Sequence, residues 1–317
     1  MKYLEYSRLR AFVARYFACS DPDRRAGRLG LFDTDYVDVF RFFGGEGMRT
    51  SDVRVFYIAE PFQFTDPAIS EFAQRTAAKM RSEGRIHDGG PVMKLASCSL
   101  GADAPHITVQ PCDYGLQAGS CFALDLPDVR FDSGGGTLRD YYRRGCIVPT
   151  VENNPLAICL GVCGMLIVDE RGERFVLRAE RSSHLASLEA SGGPSVAGVV
   201  DYATGYGNLA TLIESAMGNE IEEELGLHPG EYEIVPLAWA TELFRGERPQ
   251  IFCLIRTLLN REGVTARLNA IPLERREFES AQFLPLYGGT MLNQKDLETL
   301  NFEAKMNFYL AEEYLSL

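Results

Sequence analysis

Residues 219 to 227 read NEIEEELGL and place Glu220, Glu222, Glu223 and Glu224 within five positions. On a helix turning 100° per residue, Ile213, Met217 and Ile221 mark an apolar face; Glu220 and Glu224 fall within it, and Glu222 points the opposite way. Ionised carboxylates on a buried stripe are desolvated at a cost of about several kcal/mol each, and no Lys or Arg between 208 and 225 offsets it. Glu223, three residues after Glu220, adds a third carboxylate to the same edge. Such a group repels itself unless a cation neutralises it, and oxygen-only donors favour a hard ion. The expectation is therefore a metal site for Mg²⁺ or Mn²⁺ held by Glu220, Glu223 and Glu224, with Glu222 as ordinary solvated helix surface.

The elements that must position these residues follow from local patterning. AICLGVCGMLIVDERGERFVLRAER reads as a β-hairpin turning at residues 169–172, and VAGVVDY as a short strand. The glycine-bearing turn ATGYG leads into a helix from about Asn208 to Leu225, stopped by Gly226. YEIVPLAWATELF, QIFCLIRTLL and ESAQFLPL read as strands, and KDLETLNFEAKMNFYLAEEYL as a closing helix, giving the order βββαβββα and a mixed sheet flanked by helices. Ahead of these lie an N-terminal helical stretch, strands at DYVDVFRFF and DVRVFYIAEPFQF, a helix behind Asp66-Pro67, and a strand pair PVMKLASCSL and HITVQPCDYG. Asn153-Asn154-Pro155 separates two differently patterned halves, so the expected division is an N-terminal α+β accessory domain, 1–154, and a second domain with the C-terminal helix, 155–317.

Charge and composition narrow the function classes. The 317 residues carry a net charge of −12 with no dense basic block, which disfavours a surface that tracks nucleic-acid phosphates. A small anionic substrate fits if a divalent cation mediates its contact. No apolar run approaches the ~18 residues of a membrane span, and the first residues lack a signal peptide's continuous apolar core. The expectation is a soluble cytoplasmic protein bound to neither membrane nor nucleic acid, with a homodimer left open. The eight cysteines form no CxxC pair; Cys159 and Cys163, inside an apolar run, read as small core residues.

The segment GYGNLATLIESAMGNEIEEELGL, 205–227, resembles the signature of the Nudix hydrolases. Gly205 takes its first place, and Glu220, Ile221, Glu223, Glu224, Gly226 and Leu227 take its last at matching intervals. Thr211 stands where the family has Glu, and Asn219 where it has Arg, so the ion pair those two form in the family is missing as a pair. The resemblance implies an α/β/α sandwich with a mixed sheet, metal ligation by Glu220, Glu223 and Glu224, and hydrolysis of a pyrophosphate bond in a nucleoside diphosphate derivative. The leading domain, the approach RAERSSHLASLEASGGPSVAG and the altered box are also similar to members that cleave nucleotide sugars such as UDP-glucose.

In such chemistry the cation screens the phosphate charge and acidifies a bound water, while a carboxylate outside the metal shell takes the proton. Glu274, Glu277 and Glu279 in PLERREFES are the candidates for that base. Arg178 and Arg181, at the end of the second hairpin strand, are candidates to meet phosphate, and Gly205 to line the substrate. In the first half Asp113, Tyr114, Arg139, Tyr141 and Tyr142 stand as weaker candidates for recognising a base or sugar. Two alternatives share the scaffold: a non-hydrolytic biosynthetic step, and a module that binds nucleotide derivatives without turning them over.

Overall fold

The computed structural model describes residues 36–44, 47–86, 90–101, 103–126, 128, 131, 136–142, 149–181, 192–243, 245–272, 276, 278–286 and 300–316. The N-terminal helical stretch, the approach segment 182–191, and Glu274 and Glu277 lie outside them. Among the described residues no helix is long and apolar enough to cross a membrane.

The elements run β1 (Tyr36–Arg41), β2 (Arg54–Tyr57), α1 (Pro67–Ser82), β3 (Val92–Ser99), β4 (His106–Cys112), α2 (Tyr114–Ser120), α3 (Leu138–Tyr142), β5 (Gly161–Glu170), β6 (Glu173–Arg181), β7 (Gly192–Gly193) and β8 (Val196–Val199). After them come α4 (Leu209–Glu220), which continues as a π-helical turn over Ile221–Leu225, then β9 (Tyr232–Glu242), β10 (Arg248–Thr257), α5 (Arg261–Ala270), β11 (Phe278–Leu286) and α6 (Phe302–Leu315). One mixed sheet has the order β1-β9-β10-β5-β6-β11, with β8 paired to β5 and β7 to β6. β10 runs parallel to β5, and β10 to β9, β5 to β6 and β5 to β8 are antiparallel.

Strand alternation decides what covers each face. Val162, Leu166 and Val168 of β5 pack with Leu212, Ile213, Met217 and Ile221 of the α4 helix, whereas Cys163, Met165 and Ile167 pack with Ala304, Met306, Phe308 and Leu310 of α6. β10 splits the same way, Ile251, Cys253 and Ile255 toward α4 and Phe252 and Leu254 toward α6. A helix on each face of a mixed sheet is the flanked sheet that the residue pattern predicts and the α/β/α sandwich that the resemblance implies.

Local signals hold at several ends. The hairpin between β5 and β6 pairs Glu170 with Glu173 across Arg171 and Gly172, both at positive φ (54° and 82°), which is the two-residue turn whose twist suits antiparallel strands. Asp66 caps α1 by accepting from the amides of Ala68 and Ile69. Asn208 caps α4 through the Thr211 amide, and Gly226, at φ 66°, ends the helix in the left-handed conformation. The closing helix begins later than the pattern predicts: Asn301 caps it by accepting from the Ala304 amide. α5, absent from the sequence reading, buries only Val264 and Leu268, too little apolar periodicity to register.

The division expected at 154/155 does not coincide with a division of the core. β1 pairs with β9, because its backbone edge completes the large sheet. Val53, Val55, Met93, Leu95, Ile107 and Val109 of the first half share one apolar cluster with α4 and β5. Main-chain bonds also cross: Met93 N–H donates to Val200 O at 2.7 Å, and Leu160 N–H to Met93 O at 2.8 Å. The smaller sheet, β2-β4-β3, thus sits against the α4 side of the larger one.

Candidate functional site

Glu220 and Glu224 both reach strand β8. Glu224 is buried, 8% exposed, and its Oε1 accepts the amide of Ala197 at 3.2 Å. Glu220 is half-buried, and its carboxylate lies over the Cα of Gly198, where any Cβ would overlap it. The glycine in VAGVVDY is therefore what lets Glu220 approach. Gly198 O in turn accepts from Arg248 Nη2 at 3.5 Å, and Arg248 Nε donates to Cys159 O at 3.3 Å, so one buried arginine ties two backbone segments beneath the carboxylates.

Glu223 does not join them. It is exposed and lines an open groove with Glu222, Gly226, His228 and Arg267. The π turn supplies the reason: it spreads a turn over more residues than the ~3.6 of an α-helix, so each step rotates by less than about 100°. Glu224 still returns to stand over Glu220, while Glu223 falls further behind that edge. Among the described residues no three His, Cys, Asp or Glu side chains gather closely enough to hold a metal ion. Of the three carboxylates expected together, Glu220 and Glu224 meet at β8 and Glu223 stands apart from them. A pair of carboxylates with oxygen-only donors still fits Mg²⁺ of the kind that completes its shell with water and substrate phosphate. Glu222 is exposed, with one oxygen 3.6 Å from His228 Nδ1.

The remaining candidates are dispersed. Arg178 pairs with Glu180 at 2.7 Å, and alternation on β6, where Val176 faces α6 and Leu177 faces α4, turns it to the α6 side, away from the carboxylates. The backbone of Arg181 pairs with Phe278; its side chain lies outside what is described. Gly205 has φ 102°, is exposed, and a Cβ there would meet nothing within 4 Å, so backbone conformation alone calls for glycine. Glu279 is exposed at an irregularity of β11, where Phe278 pairs with Arg181 and Ser280 with Glu180, so two steps along β11 match one step along β6 and Glu279 is the extra residue. In the first half the weaker candidates do structural work: Asp113 caps α2 through Leu116, Arg139 is buried against Asp125 at 2.7 and 2.9 Å, and Tyr141 donates to Asp66 at 3.0 Å.

Sequence reasoning missed three features. Gly198 beneath Glu220 is one. The second is a buried charge network on the α6 face, where Arg245 is held by Glu242 at 2.6 Å and by Glu303, and Arg248 stands 4.0 Å from Glu303. The third is Lys94, 4% exposed, with its Nζ donating to Leu95 O at 2.9 Å and lying 4.6 Å from the centroid of the Phe62 ring; burial pushes its pKa down. Cys159 and Cys163 are buried, as the apolar run predicts, and the described cysteines are free thiols.

No protein-family model matches the chain, and no curated protein does. Solved structures that resemble part of it include the NUDIX domain of Shewanella oneidensis NrtR complexed with ADP ribose, at 16% identity and TM-score 0.33, over 50% of this chain and 89% of that one. A mutT/nudix family protein from Listeria innocua is similar at 15% identity and TM-score 0.34, over 50% and 94%. A C. elegans Ap4A hydrolase is similar at 11% identity and TM-score 0.32, over 50% and 98%.

Proposed function

We propose that this chain is a Nudix-type pyrophosphohydrolase acting on a nucleoside diphosphate derivative, with a nucleotide sugar as the narrower substrate class. One observation carries the reading: the carboxylates that match the ends of the signature, Glu220 and Glu224, both leave the α4 helix toward strand β8, with Glu224 fixed by the Ala197 amide. Glu220 and Glu224 would hold Mg²⁺ or Mn²⁺. When bound, the ion screens the phosphate oxygens and lowers the pKa of a coordinated water.

The chain's own residues set the rest. The Ala197 amide occupies one oxygen of Glu224 and so orients the other. Arg248, bonded to the carbonyls of Gly198 and Cys159, holds the strand on which both carboxylates rest. Glu279 is the described candidate for the proton acceptor, on the edge strand β11, with Glu274 and Glu277 the alternatives from the same segment.

Turnover of ADP-ribose, UDP-glucose and dinucleoside polyphosphates, with Mg²⁺ and with a chelator, tests the reading. Metal-dependent release of a nucleoside monophosphate that Glu224→Gln abolishes supports it; no turnover of the panel with Mg²⁺ or with Mn²⁺ in its place sinks it. A second reading, binding without turnover, has its own observation in the outward position of Glu223. Calorimetric binding of ADP-ribose by a chain with no turnover would favour it.

A further inference from the structure

The loop from β8 to α4 carries Gly205, and what holds it comes from the first half of the chain. Of residues 201–207, five are exposed, and only Tyr202 and Tyr206 are half-buried. Both are engaged by β2 and the residue after it. Tyr202 donates its hydroxyl to Ile58 O at 3.2 Å. The hydroxyl of Tyr57 donates to Tyr206 O at 3.0 Å and accepts from Tyr206 N–H at 3.0 Å, so both backbone polar groups of Tyr206 end on one side-chain atom.

Further bonds extend this contact into the helix. Leu209 N–H, one of the first-turn amides that a helix leaves without an internal partner, donates to Val53 O at 2.8 Å, and Arg54 pairs with Asn208. Tyr206 in turn meets Ser215 of α4 through its own hydroxyl at 3.1 Å. Tyr57 and Tyr202 stand edge to face with ring centroids 6.4 Å apart. Burial raises the pKa of Tyr57, which keeps its hydroxyl protonated and able to donate. At the exposed tip of the loop a Cβ added to Gly205 or Gly207 would meet nothing within 4 Å.

We infer that Tyr57 is a positioning residue, and that residues 53–58 form a built-in brace that sets the 201–207 loop beside the Glu220 and Glu224 site. The brace gives the first half a role that no motif in it announces. Its consequence for a ligand rests on the proposed function; the brace itself does not.

The test is Tyr57→Phe in the full chain, which deletes the hydroxyl and keeps the ring. Hydrogen exchange followed by mass spectrometry should show the Tyr206 amide exchanging roughly ten-fold faster, the effect of losing two ordinary hydrogen bonds, while amides in the middle of α4 keep their wild-type rates. Tyr141→Phe, a hydroxyl deletion far along the chain, should leave Tyr206 unchanged. Where the wild type turns over a pyrophosphate substrate, Tyr57→Phe should raise KM with the pH profile of kcat unaltered, since the loop places the ligand and moves no proton. Unchanged exchange at Tyr206 overturns the inference, as does an equal acceleration at every amide, which would mean only a global loss of stability. Failure of the proposed function would appear instead as no turnover by wild type, with the exchange result still decisive for the brace.

Discussion

Gly198→Ala isolates the contact on which the site depends. The added methyl would overlap the carboxylate of Glu220, the far end of a flexible side chain, so the cheapest relief is for Glu220 to swing off β8. The stability cost should then sit at or below the ~1 kcal/mol lower end of overpacking penalties. Gly198 does not have a positive φ, so once the obstacle is gone alanine should stabilise the chain by about 0.4–1 kcal/mol through the unfolded state. In a Glu220→Ala background the substitution should therefore change sign. Urea unfolding of the four proteins in the cycle gives the coupling, which should exceed the ~0.5 kcal/mol scatter of independent sites. If Gly198→Ala costs the same in both backgrounds, the methyl meets something other than Glu220 and the approach of that carboxylate to β8 is wrong. Mn²⁺ titration of Gly198→Ala alone should show weakened binding comparable to Glu220→Gln.

Three further outcomes follow from the same geometry. Glu303→Gln leaves Arg245 and Arg248 buried against too little negative charge and should destabilise by about 3–5 kcal/mol in urea; a loss under ~1 kcal/mol would show the network to be hydrated. Glu224→Gln should weaken Mn²⁺ binding in calorimetry while Glu223→Gln and Glu222→Gln leave it nearly unchanged, and equal losses at 223 and 224 would overturn the two-carboxylate assignment. Lys94 has its pKa lowered first of all by burial, so below that lowered value both folded and unfolded states are protonated and the folded state bears the full penalty. Between the lowered value and the ordinary lysine value of about 10.4 the unfolded chain binds the extra proton, and stability rises with pH. Lys94→Met should remove that alkaline rise in urea midpoints measured from neutral pH to about pH 10; a parallel rise in the variant would assign it to another group.

What the sequence disclosed and withheld has a physical pattern. The hairpin turn within 169–172, the helix starts at Asp66 and Asn208, the Gly226 stop and the buried apolar run of β5 each depend on residues within a few positions, and each was legible. So was the burial of Glu224, because helical phase is local. The π turn was not: it changes the phase over Ile221–Leu225 without a residue type that marks it, and it turned Glu223 outward. The pairing of β1 with β9 joins residues about 200 apart, beyond any local pattern. Gly198 and Tyr57 matter only through Glu220 and Tyr206, partners that folding alone brings to them.

The altered position 219 gives the last prediction. Taken alone, the sequence sets Asn219 beside Glu220, the proposed metal ligand, and predicts that Asn219→Arg, without its family partner, repels a bound cation. The structure gives the side chain a different setting: Asn219 is exposed in a groove with Glu214, Glu222, Tyr232 and Glu233, on the outer flank of α4. An arginine there has Glu222 at i+3 and adds at most about 0.5 kcal/mol as an exposed helical pair. Tyr232, in the same groove, has its pKa raised first by burial and then by Glu222 and Glu214. A cation at 219 opposes those two carboxylates, so the phenol should titrate at lower pH. Ultraviolet titration of Asn219→Arg against the parent, each with Tyr232→Phe subtracted, reads that shift, and Mn²⁺ affinity at Glu220 and Glu224 should stay within about two-fold, less than ~0.5 kcal/mol. An unmoved Tyr232 together with a clear loss of Mn²⁺ affinity would return Asn219 to the carboxylate edge and restore the reading of the straight helix.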